Sequence, residues 1–172
     1  DKDIAELTAV ILNRPRNSPY IEAVRAAGAR IRLIRDGDVA AAIATAQAGS
    51  GIDILFGIGG SPEAVIAAAA LKCMGGEQQC KLWPRDDGER NYAAEHGLDL
   101  EQVLTMKHLV NSSHTFFAAT GVTSGDLLDG VRFDGERVTT HSLVLRAETG
   151  TVRFVEAVHN LRRLNKLSEV DY

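Results

Sequence analysis

The stretch from Ile52 to Lys72, IDILFGIGGSPEAVIAAAALK, limits the possible folds more than any other part of this chain. Ile52 to Phe56 is a short apolar run interrupted by a single charge, Asp53, and predicts a buried strand. The run stops at Gly57, Gly59 and Gly60, where the absence of a Cβ lets backbone approach a ligand closely. Ser61 predicts an N-cap and Pro62 the first helical position, whose missing N–H has no helical partner to lose; Val65 to Leu71 is rich in helix formers. Glu63 then falls in the first helical turn. One reading makes it a carboxylate favoured by the positive end of the helix dipole, an effect of roughly 0.3–1 kcal/mol. The other makes it a site residue, because a carboxylate at a glycine-lined strand-to-helix junction is placed to hold a cation or a polar ligand.

The segments before this stretch repeat its plan. Leu7 to Leu12 is a continuous apolar strand that runs into Asn13-Arg14-Pro15-Arg16, and a helix from Pro19 to Ala27 closes at Gly28. Arg30 to Arg35 alternates charged and apolar residues as a half-buried strand does, and ends at Asp36-Gly37-Asp38. A helix from Val39 to Ala48 ends at Gly49. Three successive strand-helix units call for parallel strands with right-handed crossovers, an α/β fold with a mostly parallel sheet flanked by helices.

The rhythm then loosens. Gln79 to Trp83 reads as a strand, the residues up to His96 as a helix, and Asp99 as the cap of a short helix over Leu100 to Met106. Thr115 to Ala119 reads as a strand ending in the polar turn Thr120 to Asp126, and Arg137 to Arg146 and Thr151 to Ala157 as a C-terminal antiparallel hairpin across Glu148-Thr149-Gly150. Asn160 to Tyr172 reads as a helix that frays.

At 172 residues the chain has enough length for one core, hence a single domain over 1–172. Aromatic residues at 5% and a net charge of -4 argue against nucleic acid as a partner. No apolar run reaches the roughly 18 residues of a membrane span, and DKDIAEL lacks the features of a signal peptide, so the expectation is a cytoplasmic protein without a membrane partner. Cys73 and Cys80 read as buried thiols, and His96, His108, His114, His141 and His159 lack metal-ligand spacing.

In an open α/β sheet, ligands bind beyond the carboxyl ends of the strands. Parallel strands would bring Arg14 and Arg16, then Asp36 and Asp38, then Gly59, Gly60 and Glu63 to one rim. Guanidiniums bind phosphate bidentately, carboxylates accept from sugar hydroxyls or bind hard cations, and bare backbone can lie against a ligand. A phosphorylated polyol with a divalent metal satisfies the set.

RPR, DGDV, GIGGSPEAVIAAAALKCMGG and ATGVTSGDLLDGV, in that order, resemble the C-terminal half of class II fructose-1,6-bisphosphatase, whose cyanobacterial members also take sedoheptulose-1,7-bisphosphate. The resemblance covers nearly the whole chain and places it in the sugar-phosphatase superfamily of metal-dependent, lithium-sensitive enzymes. It implies hydrolysis of the 1-phosphate of a sugar bisphosphate with Mg2+ or Mn2+, and a homo-oligomer, dimer or tetramer. It implies that Arg14, Pro15, Arg16, Asp36, Gly37, Asp38 and Gly60 contact substrate and that Glu63 ligates one divalent ion. Asn17 stands where the family often has His, and Ser61 where it often has Ala. Family members are much longer, and their N-terminal half carries the remaining acidic ligands and the water-activating groups. The resemblance therefore implies no catalytic residue in this chain, which would be incomplete and inactive without that half as its partner. The other reading is a non-catalytic sugar-phosphate-binding or regulatory α/β domain.

Overall fold

The computed structural model describes residues 2–167. Its first layer is a three-stranded parallel sheet made of β1 (Thr8–Leu12), β2 (Arg30–Ile34) and β3 (Ile54–Phe56), in the order β2-β1-β3. The sequence predicts these three parallel strands. Ala9, Val10, Ile11 and Leu12 are all buried, as a central parallel strand requires when both of its faces are covered. The chain steps from β1 to β2 through α1 (Ser18–Ala26), then back across β1 to β3 through α2 (Asp38–Thr45). Right-handed crossovers in opposite directions put these two helices on opposite faces. Accordingly α1 packs on β1 and β2, and α2 packs on β3.

After β3 comes α3 (Ser61–Met74), which packs beside α2 and against the second large sheet. That sheet is antiparallel. β8 (Arg137–Arg146) pairs along its whole length with β9 (Thr151–Asn160), the hairpin read from the sequence. The other edge of β8 is shared by β6 (Phe116–Thr120) and β7 (Arg132–Asp134). Ile43 of α2, Ala70 and Cys73 of α3, Phe117 of β6, and Leu143 and Leu145 of β8 form one buried cluster. Helices α2 and α3 thus lie between the two sheets. The small residues Ala67, Ala68 and Ala70 on the buried side of α3 let its neighbours approach closely.

The smaller elements are β4 (Gln79–Cys80) paired with β5 (Leu104–Thr105), α4 (Asp87–Glu95), α5 (Met106–Leu109) and α6 (Leu161–Asn165). Among the described residues no helix is long and apolar enough to cross a membrane.

Several local expectations are corrected. Ser61 is the first residue of α3 and not its cap; Gly60 holds the cap position at φ -73, ψ 150, and its carbonyl accepts the Ala64 amide at 3.1 Å. No helix spans Leu100 to Met106, because Asp99 Oδ1 accepts the Glu101 amide at 2.8 Å in a local turn that leads into β5. The sequence pattern does not predict strand β7, although Asp134-Gly135 marks its turn and Gly135 takes a φ of +59 that suits glycine. Cys73 is buried as read from the sequence, whereas Cys80 is only half-buried. Of the helix expected from Asn160 onward, α6 forms, and residues 168–172 lie outside the described range.

Candidate substrate and metal rim

The loops that leave the carboxyl ends of β1, β2 and β3 meet at one edge of the parallel sheet. In the β2-β1-β3 order, the crevice between the β1 and β3 loops is where the connections diverge to opposite faces, the usual ligand position in such sheets. The β1 loop, Asn13 to Asn17, is the tie among all three. Arg14 Nη2 donates to the Arg35 carbonyl at 2.9 Å, fastening the loop to the end of β2 beside Asp36. Arg16 Nε donates to the Ile58 carbonyl at 2.7 Å, fastening it to the glycine turn after β3. Each guanidinium spends one nitrogen on this and keeps the rest of its fork at the exposed surface.

Beneath the arginines lies Asn17, the only fully buried polar side chain among the described residues. Its Nδ2 donates to the Leu12 carbonyl at 2.9 Å, and its Oδ1 accepts the Ile58 amide at 2.9 Å. One amide therefore adds a second donor to the Leu12 carbonyl, which also accepts the Arg14 amide at 2.8 Å, and satisfies the Ile58 amide after β3, and it holds the two loops in register. In the sequence, Asn17 stands out only as a departure from the family pattern. Its identity as a small amide directly after two exposed arginines and a proline was the available signal.

The β2 junction supplies Asp36, Gly37 and Asp38. Gly37 sits at φ 80, the left-handed conformation glycine adopts without strain, and caps α2. Asp36 is exposed and makes no hydrogen bond among the described residues. Asp38 Oδ1 accepts the Val39 amide at 3.0 Å, which leaves Oδ2 beside the glycine turn. A Cβ on Gly59 would lie 3.2 Å from that oxygen.

The β3 junction supplies Gly59, Gly60 and Glu63. None of Gly57, Gly59 and Gly60 has a positive φ, so their value here is the missing Cβ and not an unusual backbone shape. With Gly60 as the cap, Glu63 is the third helical residue, the position from which a glutamate reaches back over the cap. Its carboxylate lies directly over Gly60, in space that any side chain there would occupy. Glu63 is exposed and makes no ion pair or hydrogen bond among the described residues. The rim therefore brings together Arg14, Pro15, Arg16, Asp36, Gly37, Asp38, Gly59, Gly60 and Glu63.

The Thr120 to Asp126 turn does not join this rim through a parallel strand, because β6 belongs to the antiparallel sheet. It reaches the parallel sheet from the side, where Asp126 pairs with Arg32 of β2.

The family model described as bacterial fructose-1,6-bisphosphatase, glpX-encoded, matches residues 1–159. The chain belongs to that family. Among curated proteins it is similar to the D-fructose 1,6-bisphosphatase class 2/sedoheptulose 1,7-bisphosphatase of Synechococcus sp. (strain JA-3-3Ab), with 40% identity covering 92% of this chain and 50% of that protein. The protein of the same description from Synechocystis sp. (strain ATCC 27184 / PCC 6803 / Kazusa) is 41% identical over the same shares of both chains. The chain thus spans about half the length of the curated relatives it matches.

The family resemblance points to a divalent metal, and the donor set at Glu63 bears on it. A carboxylate without a competing partner, held beside bare backbone, suits a hard cation. Among the described residues no group of three or more His, Cys, Asp or Glu side chains could hold a metal ion. Glu63 alone therefore does not make a complete metal site among the described residues.

Proposed function

We propose that this chain is the sugar-phosphate-binding portion of a metal-dependent sugar bisphosphatase that hydrolyses the 1-phosphate of fructose-1,6-bisphosphate, and of sedoheptulose-1,7-bisphosphate in the manner of its cyanobacterial relatives. The observation that carries this reading is the meeting of two guanidiniums, the Asp36 and Asp38 carboxylates, a glycine turn and Glu63 on one sheet edge. The free edges of the Arg14 and Arg16 forks would orient the phosphate of the sugar phosphate. Asp36 and Asp38 would accept from sugar hydroxyls, and Gly60 would let substrate lie against backbone. Glu63 would hold one Mg2+ or Mn2+ ion, which supplies charge neutralisation at the phosphate oxygens and a template for in-line attack.

This reading assigns no water-activating residue to the chain, and one carboxylate cannot make a two-metal clamp. The remaining acidic ligands would come from the half of the relatives' length that this chain does not match. The test is phosphate release from fructose-1,6-bisphosphate, with and without Mn2+ or Mg2+, by the 172-residue chain and by a polypeptide of the relatives' full length. Metal-dependent turnover only by the long polypeptide is expected. Robust turnover by the 172-residue chain would overturn the division of labour.

A further inference from the structure

The Gly121 to Gly130 loop, between β6 and β7, is shaped with a tightness that the rim alone does not explain. A Cβ on Gly121 would run into the Asp129 carbonyl, and one on Gly130 would lie 2.6 Å from the Ser124 nitrogen and 2.7 Å from the Thr123 carbonyl carbon. Both glycines are therefore places where backbone passes backbone. The loop closes on itself through Gly125 N to Leu128 O at 3.0 Å, Gly130 N to Ser124 Oγ at 3.0 Å and Val131 N to Val122 O at 3.2 Å. These bonds tie the loop to itself as one piece.

That piece is fastened on two sides. Toward the antiparallel sheet, Gly121 N donates to the His141 carbonyl at 2.9 Å, and Asp129 Oδ2 lies 3.1 Å from His141 Nδ1. The other ring nitrogen, Nε2, is 2.9 Å from Glu156 Oε2 on β9, with Arg132 of β7 3.5 Å away. His141 is largely buried, with Asp129 facing one ring nitrogen and Glu156 and Arg132 facing the other. Toward the parallel sheet, Asp126 pairs with Arg32 in the middle of β2. Leu127 and Leu128 pack on the Ile43 cluster, and so does Val39, the residue after Asp38. The loop thus grips β2 on one side of the Asp36-Gly37-Asp38 junction and shares the packing of α2 on the other.

We propose that the Gly121 to Gly130 loop is a brace that holds the Asp36 to Asp38 junction in place, with His141 as the positioning residue that locks the brace to the antiparallel sheet. Its functional meaning rests on the substrate role given above to Asp36 and Asp38. The brace itself does not.

The double variant Asp126→Ala with Asp129→Ala removes the acceptor of both side-chain anchors, and both residues are exposed, so the chain keeps its core. A control, Glu101→Gln, removes the comparably exposed partner of Lys81 far from the loop. Amide hydrogen exchange of the ligand-free chain reads the junction directly, above all at Ala41, whose amide donates to the Gly37 carbonyl at 2.9 Å. Exchange over residues 37–41 should rise roughly three- to tenfold in the double variant and stay unchanged in the control. No change over 37–41, whether or not the loop itself loosens, overturns the brace. Faster exchange at the junction with unaltered fructose-1,6-bisphosphate affinity upholds the brace and removes Asp36 and Asp38 from the substrate site.

Discussion

The Glu63 carboxylate occupies the space in which a Gly60 side chain would stand. Gly60 has an ordinary φ of -73, so alanine is conformationally acceptable there, and the obstruction is the far end of a flexible side chain. Gly60→Ala should therefore leave stability unchanged or raise it by about 0.4–1 kcal/mol through the unfolded chain. The same substitution should push Glu63 off the rim and lower metal-dependent turnover of the full-length protein at least tenfold. Denaturant unfolding and a Mn2+ titration on one preparation check both halves of the expectation.

Asn17 joins the two loops that flank the crevice. Asn17→Ala leaves the Ile58 amide without its partner and the Leu12 carbonyl with the Arg14 amide alone, at a cost of about 1–3 kcal/mol where water cannot reach the unpaired amide. The unfolding midpoint should fall, and sugar bisphosphate affinity should fall with it because the β3 loop is no longer registered to the arginines. A variant with full stability would show that water replaces the amide and that the bridge is not a structural tie.

At the opposite edge of the parallel sheet, Asp53 accepts from Lys2 Nζ at 2.5 Å and from the Thr8 amide at 2.8 Å. These two bonds, the Lys2 one foremost, hold its carboxyl below its ordinary value of 3.8. A carboxyl lowered by folding stabilises fully above its unfolded value and loses that contribution as pH falls through its folded value. The stability difference between the parent chain and Asp53→Asn should be constant near neutral pH and shrink as the solution is acidified below 3.8. Unfolding curves at several pH values between neutrality and strong acid measure it, and a difference independent of pH would contradict the assignment.

Burial pushes the Cys73 thiol up, and its Sγ faces the Thr115 carbonyl at 3.6 Å inside the cluster between helices and sheet. A protonated, enclosed thiol is a poor nucleophile. Cys73 should be modified by a thiol reagent only as fast as the chain opens, with the rate rising in denaturant. Rapid modification of the native chain would show that the α3 side of the cluster is accessible.

The parallel sheet was legible because β1 is continuously apolar and a glycine follows each of the first two helices within a few residues, although α2 itself stops at Thr45 and not at the expected Ala48. The rim followed from it, since parallel strands oblige their carboxyl ends to share an edge. What the sequence left hidden depends on distant partners. Asn17 is meaningful only because Ile58 comes to it across 41 residues. His141 has no metal-like spacing, yet Asp129 and Glu156 converge on it from a loop and a neighbouring strand. Asp99 carries the same local signal for a helix cap as for a turn, and here the turn prevails. Strand β7 carries no apolar strand signal, because its three residues are all exposed and show no apolar period.

The most direct test of the central claim compares Glu63→Gln with Arg16→Ala in a polypeptide of the relatives' full length, with the rate measured against Mn2+ and against fructose-1,6-bisphosphate. Glu63→Gln keeps the size and the helix start but removes the charge a hard cation requires, so the maximal rate should fall strongly and the metal dependence should move to higher concentration. Arg16→Ala deletes a charged hydrogen-bond fork worth roughly 1.5–3 kcal/mol, so apparent substrate affinity should fall about ten- to a hundredfold with little change in metal dependence. If Glu63 serves only the helix dipole, Glu63→Gln costs a few tenths of a kcal/mol of stability and nothing else. Normal turnover by Glu63→Gln at normal Mn2+ would contradict the account.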